Sequence, residues 1–208
     1  MSSHPPSLTD RDLGKELRSE APRLSRASLS RAERARVLSR CLHTLFRWYT
    51  ARSQASRNWH PDSSFDWRSI RSDYSSQLMT IIEGYYAVEQ YAPDYTAGLA
   101  YLCRAGYGRS HFQVSWGAEE TRHADAWRNV LIFSRARLAA DLDAYTESLR
   151  EKQWTPPWSD PVRMLFYTVF QERATELIYL NTGTYLKASA QPTASPRAPD
   201  LVLSKVIS

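Results

Sequence analysis

The sequence predicts an all-α fold, a bundle of long helices, from three observations. Apolar residues recur at spacings of three and four through nearly every segment. No run alternates as a half-buried strand would. Helix-start signals and proline stops fall between the periodic runs. No internal repeat is visible, and 208 residues suffice for one domain, over 1–208, with its own core.

Residues 1–28 form an N-terminal arm ahead of the first strong pattern. "SRAERARVLSRCLHTLFRWY" opens on a capping box, Ser30 with Glu33, and carries Val37, Leu38, Cys41, Leu42, Leu45, Phe46 and Tyr49 along one stripe. "NWHPDSSFDW" ends that helix at Pro61. A second helix is predicted over 72–91 with Leu78, Ile82, Tyr85 and Glu89 in line, kinked or ended by Pro93. "CRAGYGRS" reads as a loop. A third helix covers 111–137 and, after an interruption, continues through "RLAADLDAYTESLREKQ". "WTPPWSDP" is a stop followed by an N-cap, Ser159 or Asp160, with Pro161 at the first helical position of a fourth long helix over 161–187. A Pro-rich linker over 188–199 leads to an amphipathic segment, "DLVLSKVIS".

Composition narrows the class. At 42% hydrophobic and 24% charged the chain has the balance of an ordinary soluble protein, and no uncharged apolar run approaches the ~18 residues of a membrane span. Asp10, Asp12, Glu16 and Glu20 argue against a secretory or transit peptide. Cys41 and Cys103 have no metal or redox spacing and fit a reducing, cytoplasmic setting. Of the net charge of +5, residues 1–60 carry +7, from eleven Arg and one Lys against five acids. Two readings are open: a solvated helix face, or a surface for an acidic partner.

Each long helix then places carboxylates where apolar residues belong. Glu89 lies on the stripe of Leu78 and Ile82. Trp116, Glu120, His123, Trp127 and Val130 share one face. Glu172 falls in line with Leu165, Val169 and Tyr179, with Glu176 one turn later. A buried, unpaired carboxylate is costly, so such groups pair, take up a proton or bind a metal. Carboxylates and an imidazole aimed into one bundle core are what a metal site between helices requires, and an oxygen and nitrogen donor set suits iron or manganese. The competing reading is salt-bridged core glutamates, Glu120 with Arg122 or Arg104 and Glu172 with Arg173; a single Glu-x-x-His does not decide between them.

At these residues the chain resembles the soluble acyl-acyl-carrier-protein desaturases, which are ferritin-like di-iron proteins. "AEETRHADAW" is similar to that family's E-E-x-R-H stretch, "FQERATELIYLNTG" to its F-Q-E-R-A-T segment, and "VEQYAPDY" to its T-E-x-x-x-P-x-Y stretch. The resemblance spans about 59–208. It implies that Glu89 is a terminal ligand of the first iron, that Glu120 bridges both irons, that His123 binds the first and that Glu172 is a terminal ligand of the second. It also implies that Thr175 lies near the oxygen-binding side, and that Trp59 and Trp116 serve electron entry. Val88 stands where many members have threonine.

One departure is large. The family pattern has a second Glu-x-x-His on a later helix, and here no histidine follows His123. "DLVLSKVIS" looks like the beginning of that helix, so the chain is expected to be truncated, to hold at most about one iron by itself and to leave Leu165 and Val169 exposed. The activity implied is fatty-acid desaturation in lipid metabolism: removal of two hydrogens from an acyl chain on acyl carrier protein, with dioxygen and ferredoxin electrons, by a homodimer with two irons per site. The rivals are a non-catalytic carrier-protein-binding bundle with a degenerate site, and a basic helical nucleic-acid binder. No nucleic-acid motif accompanies the charge, so nucleic acid is not an expected partner.

Overall fold

A computed structural model describes residues 29–56 and 58–189. The N-terminal arm, linker residues 190–199 and "DLVLSKVIS" lie outside the described residues. Within them the fold is all-α: α1 (Arg31–Ser56), α2 (Ser76–Glu89), α3 (Ala92–Leu102), α4 (Tyr107–Phe133), α5 (Ala139–Arg150) and α6 (Pro161–Ser189), with a short 3-10 turn at Trp67–Ser69. Among these residues no helix is long and apolar enough to cross a membrane.

The start signals act as the sequence implies. Ser30 and Glu33 close their capping box: Glu33 Oε2 accepts from Ser30 N at 2.8 Å, and Ser30 Oγ accepts from Glu33 N at 3.3 Å. Ser75 caps α2 by accepting from Leu78 N. Asp160, rather than Ser159, caps α6: its Oδ1 accepts from Arg163 N at 2.8 Å. The chain leaves helical geometry between Glu89 and Ala92, just before Pro93, as a ring that clashes with the preceding turn demands.

Several boundaries differ from expectation. α2 begins at Ser76 rather than at 72 and ends at Glu89 rather than at 91, and α3 is a helix that the sequence reading did not place. α4 begins at Tyr107, not at 111, so only the first half of "CRAGYGRS" is loop. Gly108 lies within α4, and the backbone of Leu42 on α1 passes against it where any Cβ would overlap, so the position takes glycine for close approach rather than for a turn. α4 also ends four residues early, at Phe133. Arg135 turns into the left-handed region (φ 63°), and the amides of Ala136 and Arg137 both close back onto Leu131 O at 3.1 Å.

The described chain divides into two compact units. The first holds α1 and Ala97–Trp116; the second holds Trp59–Thr96 and the chain from Gly117 onward. In the first unit the α1 stripe is only half covered: Leu38 and Leu45 are about as exposed as buried, while Thr44 is buried. Its six arginines at 31, 34, 36, 40, 47 and 52 are all exposed. Tyr107 stacks on His43 and contacts His111, and Tyr49 meets Phe112 edge-on.

The second unit contains the main core: Trp67, Ile70, Leu78, Met79, Ile82, Tyr86, Trp127, Val130, Leu131 and Leu142. Each large side chain here contributes about 1.5–3 kcal/mol by leaving water. Trp67 Nε1 donates to Pro61 O at 2.7 Å, and the half-buried Arg137 clasps the half-buried Glu83 with two bonds of 2.9 and 2.7 Å. α4 passes close to α3 at Gly117, where a Cβ would overlap the hydroxyl and methyl of Thr96. Gly117→Ala should therefore destabilise the protein by about 1–3 kcal/mol, despite alanine's better helix propensity. Thermal denaturation checks this; an unchanged midpoint would mean that the helices separate freely there.

α6 leaves much of its apolar surface open. Leu165 and Val169, expected to be exposed in this chain, are each 55% exposed, and Phe166 and Phe170 are more so. Tyr179, on the same helix, packs against the core.

Candidate metal centre

Three side chains from two helices meet in the second unit. Glu89 is the last residue of α2, and Glu120 and His123 stand one turn apart on α4. One ligand atom from each lies within 4.8 Å of the other two. Both glutamates are buried and His123 is half-buried. The i, i+3 spacing puts His123 Nδ1 3.1 Å from Glu120 Oε2, to which it donates a hydrogen bond. From α6, the phenol of Tyr179 donates to Glu89 Oε1 at 2.6 Å.

The electrostatics are those of a site short of positive charge. Burial, and next the charge of Glu120, push the Glu89 carboxyl up to about 8, against a partial offset from the Tyr179 hydrogen bond. Burial by itself would lower His123. The hydrogen bond to Glu120 and the charges of Glu120, Glu89 and Glu119 outweigh it and hold the imidazole above its ordinary value. Burial and the neighbouring Glu89 charge raise the Tyr179 phenol, so it stays protonated and donates. Among the described residues no Arg or Lys pairs with Glu89 or Glu120. The salt-bridge reading of Glu120 is thus not what the fold uses: the Arg122 guanidinium lies over the Trp59 ring, 5.4 Å from its centroid.

The donor set fits a hard to borderline divalent cation. Two carboxylates and one imidazole, with no thiolate, suit iron or manganese, and a dication would replace the protons that the cluster otherwise retains. Trp127, one turn beyond His123, is 1% exposed and meets Tyr179, the donor to Glu89, edge-on at 5.1 Å.

The other candidates are placed as follows. Glu172 is half-buried on α6 and is not among the three whose ligand atoms gather. Glu176 is exposed and pairs with Arg173 at 2.6 Å. Thr175 is half-buried on α6. Trp59 stacks on His123 with ring centroids 5.8 Å apart and planes 15° from parallel. Trp116 is half-buried on α4, four residues before Glu120. Tyr179 was not singled out by sequence reasoning; its only signal was a hydroxyl-bearing ring in line with Glu172.

No curated protein and no solved structure matches the chain. Residues 55–196 do match a family described as fatty acid desaturase, a span that includes every residue of the cluster and Tyr179. A Glu/Glu/His cluster able to hold a metal lies inside a match that covers more than half of the sequence, and the chain belongs to the fatty acid desaturase family.

Proposed function

We propose that this chain is an acyl-acyl-carrier-protein desaturase of the ferritin-like di-iron kind, introducing a double bond into a carrier-bound fatty acyl chain with dioxygen and ferredoxin electrons. The observation that carries the reading is the convergence of Glu89, Glu120 and His123 within 4.8 Å in a chain of this family. When bound, iron would supply the dioxygen activation that side chains cannot perform. The chain's own residues do the rest. Glu120, and Glu89 once it gives up its proton, present negative charge in a water-poor setting, and His123 adds a neutral nitrogen once its own proton leaves. Glu172 is proposed as a further ligand, Thr175 as the residue beside the oxygen-binding side, and Trp59 with Trp116 as the electron entry; the Trp59–His123 stack supports the role of Trp59. The six exposed arginines of α1 support an acidic docking partner, which acyl carrier protein would be.

The test uses the product of the whole open reading frame, loaded anaerobically with ferrous iron and given reduced ferredoxin, dioxygen and stearoyl carrier protein. A new double bond in the acyl chain is expected, together with carrier-protein affinity that falls as salt rises from low to moderate ionic strength. Carrier binding without conversion by iron-loaded protein would favour the alternative, a non-catalytic carrier-binding bundle with a degenerate metal site. Salt-insensitive binding would remove the α1 arginines from the docking surface.

A further inference from the structure

Glu89 is a flexible side chain at a difficult place. It ends α2, where the backbone turns at Gln90 and Tyr91, and no cationic side chain among the described residues anchors it. A ligand with three side-chain torsions and no anchor loses conformational freedom when it binds a metal. Tyr179 supplies an anchor. Its hydroxyl donates to Glu89 Oε1 at 2.6 Å, which leaves the second oxygen for a cation. The phenol ring is itself held, edge-on to Trp127 at 5.1 Å and tilted against Tyr85 at 4.8 Å. The Tyr85 hydroxyl shares a 2.6 Å hydrogen bond with Thr182 Oγ1, less than one turn beyond Tyr179 on α6, and takes no part in holding Glu89.

We propose that Tyr179 is a positioning residue of the metal centre: its phenol fixes one oxygen of Glu89 and so presents the other beside Glu120 and His123. The inference rests on the reading of these three residues as a metal site. A neutral donor suits the task. An arginine in the same place would orient the carboxylate equally well, but its charge would compete with a dication for the same oxygens. Hydrogen bonds that orient a ligand from outside the coordination sphere typically carry a tenfold to hundredfold share of metal affinity. Tyr179 also couples α6 to a site whose gathered ligands all come from α2 and α4.

The experiment titrates cobalt(II), whose visible absorption reports ligand geometry, into the wild-type protein and two variants. Tyr179→Phe deletes the donor and keeps the ring. Tyr85→Phe deletes the neighbouring hydroxyl, which touches Thr182 and not Glu89, and so serves as the packing control; helical circular dichroism confirms that both variants fold. The expected result is about a 10- to 100-fold weaker cobalt affinity with an altered spectrum in Tyr179→Phe, and wild-type affinity and spectrum in Tyr85→Phe. Equal affinities and spectra in wild type and Tyr179→Phe would overturn the proposal, as would equal losses in both variants, which would assign the effect to packing. A phenolate-to-iron charge-transfer band in the ferric wild type, lost in Tyr179→Phe, would also overturn it by making Tyr179 a direct ligand. Failure of the wild type to bind cobalt would instead remove the metal site on which the inference rests.

Discussion

Glu120→Gln is expected to weaken ferrous-ion binding by at least about 100-fold while leaving the helices intact. Glu120 is the hub of the cluster: it accepts from His123 at 3.1 Å, and its charge is the second largest influence on Glu89. Glutamine keeps its shape and volume but removes the negative charge, so the remaining set is one carboxylate and one imidazole. The fold should tolerate the change, because the like-charge pressure on Glu89 disappears with it. Metal analysis after anaerobic reconstitution reads the loss, and circular dichroism reads the fold. Unchanged iron content in a folded Glu120→Gln protein would place the metal elsewhere.

The second large effect is on pH dependence. Glu89 has a folded value raised from 4.5 to about 8, so its contribution to stability is present in full below about pH 4.5 and is lost as pH rises through 8. His123 is raised from 6.5, so its contribution is present below that pH and is lost on passing its folded value. Both groups make the metal-free protein less stable as pH climbs from about 5 to above 8. Metal binding runs the other way, because Glu89 and His123 must give up their protons to bind, and affinity should increase over the same interval. Glu89→Gln, a neutral side chain of the same shape, should therefore flatten the metal-free profile and stabilise the protein by about 1–3 kcal/mol at pH 8, while costing metal affinity. Denaturant unfolding at a series of pH values checks this. A wild-type profile that rises between pH 5 and 8, or a Glu89→Gln variant less stable than wild type at pH 8, would show that Glu89 is not held protonated by burial.

How much of this was legible in the sequence varies by residue. The all-helical class, the Ser30–Glu33 cap, the α6 start at Asp160 and Pro161, and the inward faces of Glu89, Glu120 and His123 all follow from local signals: caps, periodicity and proline. On α6, which is apolar nearly all round, periodicity alone does not distinguish the covered face from the open one. The exposure of Leu165 and Val169 is expected on the family resemblance rather than on periodicity. The loop reading of "CRAGYGRS" failed for a different reason. Glycine in sequence suggests a turn, whereas Gly108 is needed for helix–helix approach, a tertiary fact. The helical faces lead to an expected gathering of Glu89, Glu120, His123 and Glu172, of which Glu172 is not in the group the fold brings together, and the Tyr179–Glu89 hydrogen bond joins residues ninety apart, beyond the reach of local signals.

The most direct test of the central claim, that Glu89, Glu120 and His123 form a metal centre, is an anaerobic calorimetric titration of the 208-residue polypeptide with ferrous ion at pH 6 and pH 8, followed by thermal melting. The account predicts about one ion per chain, proton release on binding, tighter binding at pH 8, and stabilisation of about 2.7 kcal/mol at a hundredfold excess over Kd. A melting temperature indifferent to ferrous ion at both pH values, or titrations of wild type and Glu120→Gln that superimpose, would contradict it.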